Sequence, residues 1–194
     1  MERKAVSGTT LTLLLFAPLI FMQVKPSFCD GSLMPDLEFV LVAPHPLPFQ
    51  FCDIFEVEVW VSNINDSSPL LDYDLNVTYD ASLVLFKYVD YWGVLGTGTV
   101  SAAPPAVEVK GQGGPWSNAR GLLFALTFHV EFVPSADHIW RKNHEYETLQ
   151  IAIVGATLSF PQGVVPMGGI VMPPPLTIQV IFILGDVNCD GMVT

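Results

Sequence analysis

A two-residue period runs through most of this chain, and it constrains the fold more than any other feature. In FEVEVWVSN, Phe55, Val57, Val59 and Val61 alternate with Glu56, Glu58 and Trp60. In LDYDLNVTYD, Leu71, Tyr73, Leu75, Val77 and Tyr79 alternate with Asp72, Asp74, Asn76 and Thr78. In LLFALTFHVEF, Leu122, Phe124, Leu126, Phe128, Val130 and Phe132 form one row, against Leu123, Ala125, Thr127, His129 and Glu131. Successive side chains of a strand point to opposite faces, so each run predicts a strand with one apolar and one wet face. LQIAIVGATLSF and LTIQVIFIL predict two more strands, Leu37 to Val42 the first, and Ser82 to Val89 and Ala106 to Lys110 another two. Beyond the N-terminus no stretch keeps a helical period.

Strands with one apolar face must bury those faces against each other. The economical solution is an all-β, antiparallel two-sheet β-sandwich of jelly-roll kind, with roughly eight to nine strands in one domain over residues 36–184. PHPLP (44–48), NDSSP (65–69), APP (103–105), GQGGP (111–115) and PSADH (134–138) read as its turns and loops. MPPP (172–175) reads as a stiff extended approach to the last strand. The hydrophobic fraction of 51% against 14% charged residues excludes a disordered chain.

Residues 1–29 have the three parts of a secretion signal. Arg3 and Lys4 form a basic start, and Leu11 to Val24 an apolar core shorter than the ~20 residues a spanning helix needs. Ser27 and Cys29 are the small residues before a cut ahead of Asp30. The expectation is a secreted or cell-surface protein, held at a membrane only if the signal stays uncleaved. The remaining chain carries five basic and eighteen acidic residues, a net charge of −13. That surface excludes nucleic acid as a partner, because binding it requires neutralising phosphates. Two glycosylation sequons, at Asn65 and Asn76, fit export. Of the three cysteines, Cys29 leaves with the signal; a Cys52–Cys189 bridge is then conceivable, with nothing in the sequence to support it.

No nucleophile elbow, zinc-binding histidine pair or phosphate-binding glycine loop occurs, so no catalytic residue is assigned and the protein is read as no enzyme. Glu56 and Glu58 are same-face neighbours on a wet strand face, not a catalytic pair. His129 is read as a surface or satisfied histidine, and His138, Trp140 and His144 fall in a polar loop with a weak metal signal. Trp60, Trp92, Trp116 and Trp140, with Tyr91, are the candidate sugar-stacking aromatics of a carbohydrate-binding module, the alternative function. Trp92 and Trp116 read better as plugs for the loop ends of the sandwich.

FEVEVWVSNI followed by LLDYDLNVTYDASLVLFKYV resembles the front half of a cohesin domain. The residues that carry the likeness are Val59, Val61, Asn63, Leu75, Thr78, Tyr79, Asp80, Leu83 and Phe86. GLLFALTFHV and LQIAIVGATLS resemble the later strands of that family. The C-terminal ILGDVNCDGMVT resembles the start of a type I dockerin, whose first calcium loop opens D-x-N-x-D-G. The resemblance implies Ca2+ ligands at Asp186, Asn188 and Asp190, the Met192 carbonyl and Thr194, with Cys189 at a non-ligand fourth position. Residues 185–194 cover nine of the twelve loop positions, so the expectation is a dockerin cut short, a reading frame that continues, and Ca2+ affinity that is weak or absent in the chain as given. Together the two likenesses imply a non-catalytic module of an extracellular assembly, polysaccharide-related in many such systems. The implied partner is a dockerin-type or other protein module, with polysaccharide as the alternative partner.

Overall fold

The computed structural model of the chain describes residues 34–50, 52–131 and 146–181. Eleven strands follow in chain order: β1 (Asp36–Val42), β2 (Phe49–Gln50), β3 (Ile54–Ser62), β4 (Leu70–Tyr79), β5 (Val84–Tyr91), β6 (Thr97–Ala103), β7 (Ala106–Trp116), β8 (Arg120–Val130), β9 (Tyr146–Phe160), β10 (Gly163–Pro166) and β11 (Leu176–Ile181). The only helical pieces among the described residues are 3-10 turns at Gly93–Leu95 and Met167–Gly169. Two sheets face each other, a four-stranded one in the order β1-β3-β8-β5 and a seven-stranded one in the order β2-β11-β9-β4-β7-β6, with β10 added to β9. The expected all-β two-sheet sandwich is the observed fold, and nine of its strands have six residues or more.

The alternating rows become the core. Phe55, Val57, Val59 and Val61 of β3 are buried, as are Tyr73, Leu75, Val77 and Tyr79 of β4 and Phe124, Leu126, Phe128 and Val130 of β8. Phe128 is the hub: Phe55 stacks on it at 5.6 Å, while Tyr79 and Phe86 meet it edge-on at 5.3 and 6.0 Å. Tyr73 crosses between the sheets and donates its hydroxyl to the Leu123 carbonyl at 3.0 Å. Burial pushes the Tyr73 hydroxyl pKa far up, so it stays a donor at any ordinary pH.

Where the structure departs from strict alternation, a bulge is the cause. Leu70, not Leu71, is the buried residue at the start of β4, because the β4–β7 register shifts between Leu70 and Asp72. The β3–β8 register shifts between Val59 and Trp60, so Leu123 joins Phe124 in the interior and Leu122 falls outside the row assigned to it. The β4–β9 register shifts between Asn76 and Val77, and the buried set passes from Ile151 and Ile153 to Ala156 and Leu158. One extra residue in a strand inverts the facing of all that follow.

Three boundaries also move. GQGGP is not a turn but the second half of β7, paired to β4 and β6. Its glycine serves packing: a Cβ on Gly111 would lie 2.1 Å from the Tyr73 ring. The strand expected at Ser82 starts at Val84, after a turn over 81–83. β6 has no apolar alternation to betray it, since it is an edge strand exposed along most of its length. Cys52 is disulfide-bonded, and both other cysteines of the chain lie outside the described residues.

Candidate functional site

The sandwich offers two outer faces, and cross-strand pairing fixes what each displays. On the larger sheet, β9, β4, β7 and β6 build a grid of outward residues. One row holds Ser159, Asp72, Gln112 and Thr97; the next holds Thr157, Asp74, Lys110 and Thr99. A third holds Gly155, Asn76, Glu108 and Ser101, and the fourth Ala152, Thr78, Ala106 and Ala103. No aromatic stands in this grid. Lys110 Nζ lies 2.9 Å from both Asp74 and Glu108, which raises its pKa through those two hydrogen bonds. The three charged side chains are each about 40% exposed, so the trio is accessible.

The outer face of the four-stranded sheet has a different character. Its rows run Ile54, His129, Leu85; then Val42, Glu56, Thr127, Tyr88; then Val40, Glu58, Ala125; then Glu38, Trp60, Leu122. Ile54, Leu85, Tyr88 and Val42 are exposed around the edge. The middle is closed: Thr127 and Ala125 point outward yet are only 1% and 3% exposed. The Thr127 hydroxyl and His129 Nδ1 are buried there without a hydrogen-bond partner.

Trp60 lies on this second face as expected from its strand position, but its ring is taken. The Arg120 guanidinium carbon sits 4.3 Å from the ring centroid, and the indole N–H donates to Glu58 at 2.8 Å. Arg120 in turn donates to Glu38 at 2.8 Å. Trp92 and Trp116 are half-buried against the core, each over a glycine, Gly98 and Gly121, whose Cβ would lie 2.3 Å from the indole. Glycine is needed at both places because the ring occupies the space of a side chain. Trp140, His138 and His144 lie outside the described residues, as do Asp186, Asn188, Asp190, Met192 and Thr194. Tyr91 pairs with Ala125 through its backbone in β5.

Both sequon asparagines are exposed. Asn65 sits in a tight turn where its side-chain oxygen accepts from the Ser68 N–H at 2.9 Å, whereas Asn76 stands in the middle of the larger outer face. Among the described residues no group of three or more His, Cys, Asp and Glu side chains could hold a metal ion, and no helix is long and apolar enough to cross a membrane. A pair missed in the sequence closes one end of the sandwich. His45 Nε2 lies 2.8 Å from Asp53, and its Nδ1 2.9 Å from the Pro46 carbonyl. The Pro46 contact chiefly raises the His45 pKa, partial desolvation opposes it, and the Asp53 charge adds to the rise.

No protein-family model matches the chain, and no curated protein matches its sequence. Solved structures do match. A type I cohesin in complex with a dockerin, from Clostridium thermocellum, superposes with a TM-score of 0.58 at 10% identity, covering 77% of this chain and 95% of that one. The cohesin module of a family 33 glycoside hydrolase from Clostridium perfringens gives 0.54 at 9% identity over 77% and 98%. A non-cellulosomal cohesin from the archaeon Archaeoglobus fulgidus gives 0.51 at 11% identity over 76% and 91%. At such identities it is the fold that is shared: the described chain is a cohesin-like β-sandwich.

Proposed function

We propose that this protein is a non-catalytic interaction module of a secreted or cell-surface assembly, and that it holds a dockerin-type helical partner on the outer face of its larger sheet. The observation that carries the reading is the cohesin-like sandwich, whose match from Clostridium thermocellum is itself a cohesin bound to a dockerin. The choice of face rests on surface chemistry. A helix is about 10 Å across and covers two to three strands at about 4.8 Å spacing. It settles on a sheet whose outward side chains are short, and threonine, serine, alanine and glycine supply most of the larger grid. Asp72, Asp74 and Glu108 outnumber Lys110 there, which favours a partner surface carrying cations. The four-stranded face is less suited, because its centre is already covered and its tryptophan is already capped.

The chemistry of the tail supports a second element of the same reading: Asp186, Asn188, Asp190, the Met192 carbonyl and Thr194 are five oxygen donors in calcium-loop order. These five donors by themselves, with no bidentate carboxylate closing the loop, should hold Ca2+ more weakly than ~1 mM. Calorimetry showing micromolar affinity that Asp186→Ala abolishes contradicts this.

The decisive experiment is a pull-down with dockerin-bearing proteins from the same source, beside a panel of cellulose, xylan and chitin. Capture of a dockerin-bearing protein that Asp74→Arg abolishes supports the proposal. Retention on a polysaccharide, lost in Trp60→Ala and with no protein captured, makes the chain a carbohydrate-binding module instead.

A further inference from the structure

We propose that Cys52 pairs with Cys189, so that the tail is covalently fastened to the β2–β3 end of the sandwich. Cys52 is disulfide-bonded, and the chain offers it only Cys29 or Cys189. Strand geometry chooses between them. The residues ahead of β1 are tied to the opposite end of the sandwich: Asp36 pairs with Ser62, and Asn63 Nδ2 donates to the Met34 carbonyl at 3.0 Å. Cys52 lies beyond the other end of β3, two residues before Ile54, with its N–H donated to the Val130 carbonyl at 3.0 Å. β3 has nine residues and spans about 26 Å at about 3.3 Å per residue. From Met34, the five residues back to Cys29 reach about 18 Å when fully extended. A disulfide allows at most about 7 Å more between Cα atoms. That total falls short of β3 alone, before the further step from Ile54 to Cys52.

Cys189 has no such difficulty. β11 and β2 run parallel, with Ile181 paired to Gln50, so β11 ends at the same end of the sandwich as Cys52. From Ile181 the eight residues to Cys189 reach about 28 Å when fully extended. The distance to cover is no more than the neighbouring-strand spacing of about 4.8 Å plus the two residues from Gln50 to Cys52.

Forming the bond removes two protons and two electrons from the two thiols, passed to a disulfide-carrying thiol oxidase of the export compartment. An oxidising compartment is where such bonds persist. The consequence is that the bond fixes position 189, the fourth position of the calcium-type loop, to the end of the sandwich closed by His45 and Asp53.

The test is a disulfide map of the full chain, exported by a disulfide-forming host and digested without reduction by trypsin and a protease cutting at aspartate. The expected product joins the Cys52 peptide to the Cys189 peptide and disappears on reduction. Cys52 joined to Cys29, joined to a second chain, or found free overturns the proposal. As a check free of proteolysis, the native Cys189→Ser protein should gain one maleimide-reactive thiol per chain, at Cys52. Cys29→Ser should leave Cys52 unreactive. The reverse pattern, or no new thiol in Cys189→Ser, overturns the assignment.

Discussion

The two outer faces of this sandwich are made by the same alternation, yet they differ in what they leave open. On the larger sheet, outward positions hold short polar side chains around the Asp74–Lys110–Glu108 trio, and Asn76 is exposed at the centre. On the four-stranded sheet, outward positions hold Trp60, Tyr88, Ile54 and Leu85, and Thr127 at the centre is covered. Apolar content alone would choose the second face for docking. Accessibility chooses the first, because a partner must reach the middle of a face and not only its rim.

The largest effect should come from removing what the two faces share. Phe128→Ala empties the aromatic hub and should cost about 3–5 kcal/mol. Chemical denaturation should show the loss, and capture of the partner should fall only as far as the folded fraction falls. A loss under 1 kcal/mol would mean that the sheets are not held together at this point.

Next is the single hydrogen bond that ties β4, under the first face, to β8, under the second. Tyr73→Phe leaves the Leu123 carbonyl buried without its donor and should cost about 1–3 kcal/mol. An unchanged denaturation midpoint would show that the two sheets are coupled by packing alone.

The contrast between the faces is tested directly by one charge-changing substitution on each side. Asp74→Arg should weaken partner binding at least tenfold, about 1.4 kcal/mol, whereas Tyr88→Asp should change it less than about twofold. Titration calorimetry measures both. The opposite ranking moves the site to the four-stranded sheet, as does a glycan on Asn76 of a protein that still binds.

The smallest effect concerns the end of the sandwich where the faces meet. His45 gains a proton-stabilising site on folding, so its folded pKa lies above its ordinary value of 6.5. Its contribution is fully present below pH 6.5 and is lost as pH rises through the folded pKa. The melting temperature should therefore drop slightly from pH 6 to pH 8, and His45→Gln should flatten that drop. A slope that survives in the variant assigns it to other groups.

Much of this fold was legible in the sequence because a strand writes its burial at period two. Val57, Val59, Leu75, Val77, Leu126 and Phe128 are where the alternation puts them. Leu123 and Leu71 were misplaced because a bulge is set by the partner strand, and no local pattern records it. Trp60 was legible as outward, but not as capped: Arg120 lies sixty residues away and reaches it only through the β3–β8 pairing. His45 and Asp53 carry no motif at all, and meet because the loop after β1 returns to the start of β3.

By itself, then, the sequence determined the all-β class, the core rows of β3, β4 and β8 and the polar character of the face around Asp72, Asp74, Asn76 and Thr78. Alternation is a local property, and those conclusions needed nothing beyond neighbours in the chain. Only the tertiary structure decided which strands share a sheet, which outward face stays open, and which end of the sandwich Cys52 occupies. Those follow from long-range register, in which one inserted residue or one distant guanidinium changes the outcome, and a single chain carries no signal of that before it folds.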